Sequence, residues 1–449
     1  MDTTEWGRTF SLIPIRNSDK NTDQWIKFSN PLYLRLYYPN SCITYDCAET
    51  GAGQTQRPFT FENFCDYLRQ FRFTHSHDDY SLPTVFYLCY ELGYYFEEVE
   101  HLLERPLFER PLLAVEIKYQ DVEKLMPETS ARTTPELHLD LDLDLDLLSA
   151  PTFDEYQTAF QRGYQELLRG NCYQFNLTYQ YQYQYRYKDP AAAVDPVDHF
   201  TALFINLRAQ GNLSPYAQLT FLPPLDLLIL SNTPEGLFTI KKLPNHFLLT
   251  TTPIKGTASK DAVTPFADPF ANPKEQGELD MISDLLRNDL SRIEFPNATI
   301  LARRRRLAVP QLLHQYSIIQ AELSYNVTLY EILRRLFPGG SITGAPKKSV
   351  LKILHQLENG RGIDRGRGRG RGFYTGSTII LHRSLLAASI NIRTAVIDLK
   401  NQKLSYGSGG GITLLSNPKD EFAEMNAKVQ SFFSALFRTA AGPLIKDGL

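Results

Sequence analysis

The sequence predicts a large protein of mixed α and β structure. Runs that alternate polar and apolar residues, such as Gln180–Tyr187, are typical of half-buried strands. Runs with apolar residues at helical spacing, such as Phe153–Leu168, are typical of amphipathic helices. From Phe153 onward the two kinds of run alternate, and 449 residues suffice for one large domain or two to three ordinary ones.

The first part of the chain is rich in tyrosine and phenylalanine and favours strands. We predict a strand at Leu32–Tyr37, an amphipathic helix over Phe61–Phe73 and a buried strand over Tyr87–Tyr95. The alternating Leu–Asp repeat of Leu139–Leu147 could form an edge strand, but its tandem character favours a linker. It therefore separates an N-terminal region, residues 1–149, from a second domain, residues 150–438.

In the second domain, helix signals alternate with strand signals. The long helix Lys274–Ile293 carries one apolar stripe, and a glycine turn is predicted at Gly407–Gly411. The last helix begins after Asn417, a favourable N-cap residue, with Pro418 in its first turn. Further predicted strands are Cys172–Tyr187, Leu227–Leu230, Leu237–Ile240 and Ser389–Asp398, and a further predicted helix spans Val350–Leu357.

Composition excludes several classes of function. A net charge of −3 does not favour a general binder of nucleic acids or anionic membranes. No run of 18 apolar residues occurs, and the five scattered cysteines include no CxxC pair, so we expect a cytoplasmic protein with reduced thiols. The Arg–Gly repeat Arg365–Gly372 could bind RNA, but an expanded loop is the favoured interpretation.

One lysine has the sequence context of a reactive group. Lys255 follows an apolar run and precedes a Gly-Thr turn in Thr251–Thr257. Local sequence alone favours a solvated surface lysine. A lysine held at the end of a buried strand can instead act as a nucleophile or base.

Two helices carry carboxylates that could hold a divalent cation. Glu278 and Arg292 lie 14 residues apart on the long helix, on a similar face and about 21 Å apart along its axis. The last helix presents Glu421, Glu424 and Lys428 on one face. An ordinary charged surface explains both patterns, and so does a Mg²⁺ site that uses one carboxylate from each helix.

Three further segments favour binding of a carboxylate. The glycine-rich turn in Phe337–Lys347 runs into a helix, so its backbone N–H groups and Lys347 could bind an anion, although the Walker spacing is absent. Arg393 in a predicted strand needs a partner such as a bidentate carboxylate. The backbone of Gly407–Ile412 could approach a ligand closely. Together these features describe a site for a small dianionic acid.

Residues from about 150 to 438 closely resemble the chorismate-utilising enzymes. They are most similar to the aminodeoxychorismate synthase component I group, and next to the anthranilate synthase component I group. The resemblance implies an α+β fold with two face-to-face antiparallel β-sheets flanked by helices, with an N-terminal region like that of anthranilate synthase component I. The motifs that carry it are Pro253–Thr257, Asp284–Asp289, Gly340–Lys347, Ile392–Ala395 and Gly409–Ile412.

The resemblance also assigns roles to residues. It implies that Glu278 and Glu424, with Glu421 nearby, hold Mg²⁺, and that the catalytic residues are Lys255, Glu235 and His314. Glu235 stands in a Thr-Pro-Glu-Gly version of the family's Ser-Pro-Glu-Arg motif. The implied chorismate-binding residues are Gly256, Thr257, Arg292, Thr343, Tyr374, Arg393, Gly409, Gly410, Gly411 and Lys428.

Lys255 distinguishes between the subgroups. Anthranilate synthases have alanine at this position, whereas in aminodeoxychorismate synthases the lysine is proposed to attack C2 of chorismate and expel the C4 hydroxyl. Ammonia then displaces the lysine by adding at C4. Isochorismate synthases place a lysine base where this chain has Gln174, which disfavours activation of water. Thr252 and Ala258 replace arginines that the family usually has.

The resemblance implies chorismate as substrate and a separate glutaminase subunit as ammonia source, because the sequence contains no amidotransferase segment. We expect no nucleic-acid or membrane partner. The alternatives are an anthranilate synthase component I and, more remotely, a non-catalytic homologue or RNA-associated protein that uses the Arg–Gly repeat.

Overall fold

The structure is a computed structural model of the chain. It describes residues 10–15, 24–47, 53–73, 82–103, 111–125, 143–188, 195–259, 273–294, 298–309, 312–358, 370–383 and 385–437. The helices are α1 Phe61–Leu68, α2 Leu92–Phe96, α3 Phe153–Leu168, α4 Pro196–Ala209, α5 Pro273–Ser291, α6 Leu329–Leu336, α7 Gly340–Thr343, α8 Lys347–Glu358 and α9 Pro418–Phe437.

Twenty strands accompany these helices in the described residues. They are β1 Ser11–Ile15, β2 Gln24–Tyr38, β3 Ser41–Asp46, β4 Gln54–Pro58, β5 Thr84–Leu88, β6 Ala114–Leu125, β7 Leu143–Ser149, β8 Gln174–Tyr187, β9 Gln218–Leu222, β10 Leu227–Ser231, β11 Gly236–Lys242, β12 Phe247–Thr252, β13 Ile254–Ser259, β14 Thr299–Val309, β15 Leu312–Leu323, β16 Gly344–Ala345, β17 Ser377–His382, β18 Leu385–Ser389, β19 Thr394–Asp398 and β20 Lys403–Ile412.

The strands form two antiparallel sheets that share the long strand β2. One sheet runs from β2 through β6, β5, β17, β18, β11, β12 and β15 to β14. The other runs from β2 through β1, β9, β10, β19, β20 and β8 to β7. Strand β13 extends the first sheet beside β12 by pairing with β15.

The two sheets pack face to face, and alternate side chains of each sheet point into the core between them. Phe28 and Ile229 belong to this core, together with Val85 and Ile380 from the other sheet. The Ser11 hydroxyl joins the two faces, because it lies 2.8 Å from the Tyr87 hydroxyl. Helices α1, α2, α5 and α6 cover the outer face of the first sheet, and α3, α4, α8 and α9 cover that of the second. The predicted fold class is therefore confirmed.

Local signals in the sequence determine the helix boundaries. Thr152 caps α3 in a capping box with Glu155, and Gly170 follows the helix at φ +72°. Asn417 caps α9, since its side-chain oxygen accepts a hydrogen bond from the Lys419 N–H at 2.9 Å. In the described residues, no helix combines the length and the apolar character needed to cross a membrane.

Several elements differ from the sequence prediction. The Leu–Asp repeat forms an edge strand in Leu143–Ser149, because its leucines pack against β8 while its aspartates face outward. The strand predicted over Tyr87–Tyr95 ends at Leu88 and is followed by helix α2, where Gly93 lies against Pro338. The predicted Gly407–Gly411 turn is part of strand β20.

Pairing crosses the predicted boundary between residues 149 and 150. Strand β5 of the N-terminal region pairs with β17, and β1 pairs with β9. Each of the two sheets thus contains strands from both sides of the boundary. The division of the chain into two domains stays a prediction.

Candidate active site

Lys255 lies in β13, opposite Gln315 of β15. Its side chain is half-buried, and its Nζ donates a hydrogen bond of 3.5 Å to the carbonyl of Ser341 in α7. The lysine is therefore held at the end of a strand beneath a short helix. Lys255 is thus partly shielded from solvent, and its role as a nucleophile stays a prediction.

Glu235 lies next to this lysine, in the turn between β10 and β11. Its side chain is buried, and the Ile254 N–H donates a hydrogen bond to the carboxylate. Burial raises the pKa of Glu235, and the Ser341 hydroxyl and the Lys255 ammonium partly offset this rise. A carboxyl whose pKa is raised in this way can hold a proton for transfer.

Strand β8 forms the opposite wall with two amide side chains. Asn176 Nδ2 donates to the Ser341 carbonyl at 2.7 Å, so the same oxygen accepts hydrogen bonds from Asn176 and Lys255. Gln174 is fully buried, and neither atom of its amide has a hydrogen-bond partner among the described residues. Buried amides are normally paired, so Gln174 is available to a small polar ligand.

The glycines of β20 bring backbone close to this wall. A β-carbon on Gly409 would collide with the Leu177 carbonyl, and one on Gly411 would collide with the Gln174 amide. Glycine is therefore required sterically where β20 and β8 pair. Lys428 of α9 donates to the Gly409 carbonyl at 2.9 Å.

Arg393 lies just before β19, not inside a strand as predicted, with φ +50°. Its guanidinium makes no ion pair or hydrogen bond with any residue that the structure describes, and Tyr406 is its electrostatic neighbour. Burial lowers the pKa of Arg393. Its side chain is half-buried, and a guanidinium without a described partner can bind an anion. Tyr374 is buried nearby, against Gly407.

The residues predicted to bind a metal lie on helices on either side of the site. Glu278 is on α5, which packs against β13 and α7. Glu421 is buried on α9, with its carboxylate beside Gly410, and Glu424 on the same helix pairs with Lys428 at 2.9 Å. No group of three or more His, Cys, Asp or Glu side chains arranged around a metal is found within the described ranges. Mg²⁺ needs only one or two protein carboxylates, and the Mg²⁺ site formed by these residues stays a prediction.

The remaining predicted residues are placed differently. Thr343 is buried in α7 beside the Ser341 carbonyl that Lys255 contacts. Thr257 and His314 are paired by their backbones between β13 and β15, with Gly256 at a register shift, but their side chains lie outside the described part of the structure.

Two cations are separated from this cluster. Arg292 is exposed beyond the end of α5 and lines a separate surface pocket. Lys347 does not offer a free charge to a ligand as predicted, because it pairs with Asp289 at 2.9 Å and is buried.

Sequence reasoning missed Arg371, which joins the elements around the site. Its guanidinium donates to the Ile342 carbonyl at 2.9 Å and to the Asn176 carbonyl at 2.7 Å. It also pairs with Glu358 of α8 at 2.6 Å, and its charge lies 4.3 Å from the centre of the Tyr90 ring. Arg371 belongs to the Arg–Gly repeat, and nothing in that repetitive sequence indicates that this arginine is buried.

Residues 25–434 match the family described as chorismate binding enzyme. The chain belongs to the chorismate binding enzyme family.

Two of the relatives of this chain are named aminodeoxychorismate synthase. An aminodeoxychorismate synthase of Arabidopsis thaliana chloroplasts is 32% identical over 286 residues, which are 62% of this chain and 28% of that protein. Aminodeoxychorismate synthase component 1 of Bacillus subtilis is 27% identical over 84% of this chain and 76% of its own length. The chain thus spans less than a third of the plant relative.

A solved structure confirms the fold of this family member. Anthranilate synthase component I of Streptococcus pneumoniae superposes with a TM-score of 0.66 at 20% identity, covering 93% of each chain. At this identity the likeness concerns the fold alone.

Proposed function

We propose that the chain aminates chorismate at C4 with ammonia and forms 4-amino-4-deoxychorismate, a precursor of 4-aminobenzoate and folate. The observation that carries this proposal is the placement of Lys255, an amine beside the buried carboxyl of Glu235 on one wall of the site. The relatives named aminodeoxychorismate synthase support it.

In the proposed reaction Lys255 Nζ attacks C2 of chorismate. The conjugated double bonds shift, the bond from C4 to its hydroxyl breaks, and Glu235 gives the leaving oxygen its proton so that water departs. Ammonia then attacks C4, and the Lys255 amine leaves C2. Gln174, whose amide has no partner in the described residues, can hydrogen-bond the incoming ammonia or the departing water.

The anionic groups of the substrate have receptors in the proposal. Arg393 binds one carboxylate in a bidentate manner, since it has no carboxylate partner in the described part of the protein. The backbone of Gly409–Gly411 accommodates a close approach, and Lys428 lies at its edge. Glu278 and Glu424, with Glu421, would hold Mg²⁺, which would neutralise the ring carboxylate and draw electrons from the ring.

The test is analysis of products from chorismate, Mg²⁺ and ammonium. Formation of 4-amino-4-deoxychorismate without pyruvate is expected. Anthranilate and pyruvate as main products would instead establish the second candidate, an anthranilate synthase, which relatives such as that of Haloarcula marismortui, 33% identical over 277 residues, support.

Lys255→Ala tests the mechanism separately from the product. We expect loss of ammonia-dependent C4 amination by at least about 10²-fold, because the covalent route is closed. Lys428→Ala is the matched lysine control, since Lys428 contacts only backbone and Glu424 among the described residues, and should mainly raise KM. Full activity of Lys255→Ala would exclude the covalent role.

We further propose a separate glutaminase subunit as the ammonia source. Relatives named PabA-like support a glutamine-dependent partner. Adding a purified glutaminase subunit should convert an ammonium-dependent activity into a glutamine-dependent one. Cytoplasmic localisation stays a prediction.

A further inference from the structure

A surface pocket lined by arginines lies at the ends of α1 and α5 and along α6. Its volume is about 450 Å³, within the range of small-molecule sites. Five arginines and a single carboxylate contribute to its lining, and we call it the arginine pocket. These residues are Arg69, Arg72, Arg292, Arg334, Arg335 and Glu331.

The amphipathic pattern of α6 explains why its arginines face this pocket. Leu329, Ile332, Leu333 and Leu336 are buried in the core, at the spacing of one helical face. The residues between them, including Arg334 and Arg335, must therefore lie on the outer face. Packing of the apolar face of α6 against the core thus directs the side chains of Arg334 and Arg335 toward the pocket.

Most of the positive charge in the pocket is not neutralised by described residues. The side chains of Arg292, Arg334 and Arg335 form no ion pair or hydrogen bond with them. Glu331 lies one helical turn before Arg335 and would be its ordinary partner. Its carboxylate instead accepts hydrogen bonds from the N–H and hydroxyl of Thr328, at 2.7 and 2.9 Å, in the cap of α6.

Three other arginines of the described chain pair with carboxylates. Arg69, at the rim of the pocket, pairs with Glu62 at 3.1 Å and with Asp66. In the run of arginines on β14, Arg303 pairs with Asp284 at 2.9 Å, and Arg304 pairs with an aspartate of the same helix. Arg292, Arg334 and Arg335 of the arginine pocket thus differ from these paired arginines in having no described partner.

We propose that the arginine pocket binds a small molecule that carries two or more adjacent anionic groups, such as phosphates or carboxylates. Guanidinium groups bind such oxygens through paired hydrogen bonds, and the like charges of the pocket attract an anion. The pocket is distinct from the Lys255 site. Arg292 lies about 20 Å along α5 from Glu278, given a rise of about 1.5 Å per residue.

The test is calorimetric titration of the full chain with inorganic pyrophosphate, and separately with malonate, at low and high salt. Saturable binding below about 1 mM that weakens with salt is expected for at least one probe. A preference for pyrophosphate would assign the phosphate class, and a preference for malonate would assign the carboxylate class. Absence of saturation with both probes would overturn the proposal.

Variants locate the binding. Arg334→Ala/Arg335→Ala should weaken it by at least about ten-fold. Arg303→Ala/Arg304→Ala removes the same number of charges from the neutralised run and should leave it unchanged. Equal weakening by both pairs, or displacement of the probe by chorismate, would show that binding lies elsewhere. If the α6 pair does not fold, Arg292→Ala on α5 tests the same pocket.

Discussion

Replacing Arg371 with methionine removes a side chain that contacts α7, α8 and β8 at once. Its side chain is 4% exposed, and that of its partner Glu358 is 15% exposed. Methionine fills much of the volume but leaves the Glu358 carboxylate buried without a cation. It also leaves the carbonyls of Ile342 and Asn176 without the donors that Arg371 supplies.

The expected cost is about 3–5 kcal/mol of unfolding free energy, the range for a buried ion pair that loses one partner. A domain has about 5–15 kcal/mol in total, so the variant should still fold. Because Ile342 follows Ser341, whose carbonyl Lys255 contacts, α7 should also shift. We therefore expect kcat to fall by more than KM changes.

Urea unfolding and steady-state kinetics with ammonia measure the two effects. The control is Arg35→Met, because Arg35 also pairs with a buried carboxylate, Glu116, at 3.3 Å. Three tyrosine hydroxyls also donate to Glu116 or lie against it, so this loss should cost less, about 1–2 kcal/mol. A cost below about 1 kcal/mol for Arg371→Met would refute the stabilising role of the Arg371 contacts. So would a double variant with Glu358→Gln whose cost equals the sum of the single costs.

Three further predictions concern single positions. A β-carbon at Gly277 meets no atom within 4 Å, so Gly277→Ala should raise the free energy of unfolding in urea by about 1 kcal/mol. Gly409→Ala should instead destabilise the protein, because its β-carbon would collide with backbone. The opposite order of stabilities would contradict this geometry. Burial lowers the pKa of His199 to about 4 in the folded protein. As pH drops from about 6.5 toward 4, this histidine is protonated in the unfolded chain but not in the folded one. The free energy of unfolding should therefore fall over this range, by on the order of 2 kcal/mol. His199→Phe should remove that part of the pH dependence of unfolding, and an unchanged profile would exclude His199 as its source. Because burial raises the pKa of Glu235, its acid form persists to higher pH than usual, and the rate should fall as pH rises through that pKa. Glu235→Gln should lower kcat by about 10²-fold and remove this fall in rate with pH. If the variant keeps the same fall, another group causes it.

Local patterns predicted the elements whose signals are themselves local. Helix α3 occupies the predicted residues because its cap, its apolar spacing and its following Gly170 are all within one segment. Helix α9 begins at Pro418 for the same reason. The alternation of β8 was equally readable, since every second residue from Tyr179 to Tyr185 is a tyrosine that enters the core.

The glycine segment Gly407–Gly411 shows where local patterns fail. Glycines usually indicate turns, but here they form a strand because β20 pairs with β8. The residues are glycines because the Tyr374 ring and the backbone of β8 leave no room for side chains at Gly407 and Gly409. The Leu–Asp repeat was likewise ambiguous, because an isolated alternating run becomes a strand only when a neighbour such as β8 pairs with it.

By itself, the sequence determined the periodicities of the major helices and strands, and the order of the motifs that place the chain in its family. The motifs that contain Lys255 and Glu235 could be recognised because the residues of each motif are contiguous. Only the tertiary structure decided that Arg371 is buried among carbonyls and that Lys347 forms an ion pair with Asp289. It also decided that Arg292 lines another pocket. The physical reason is that the charge on a side chain becomes available or neutralised through partners that are distant in the chain.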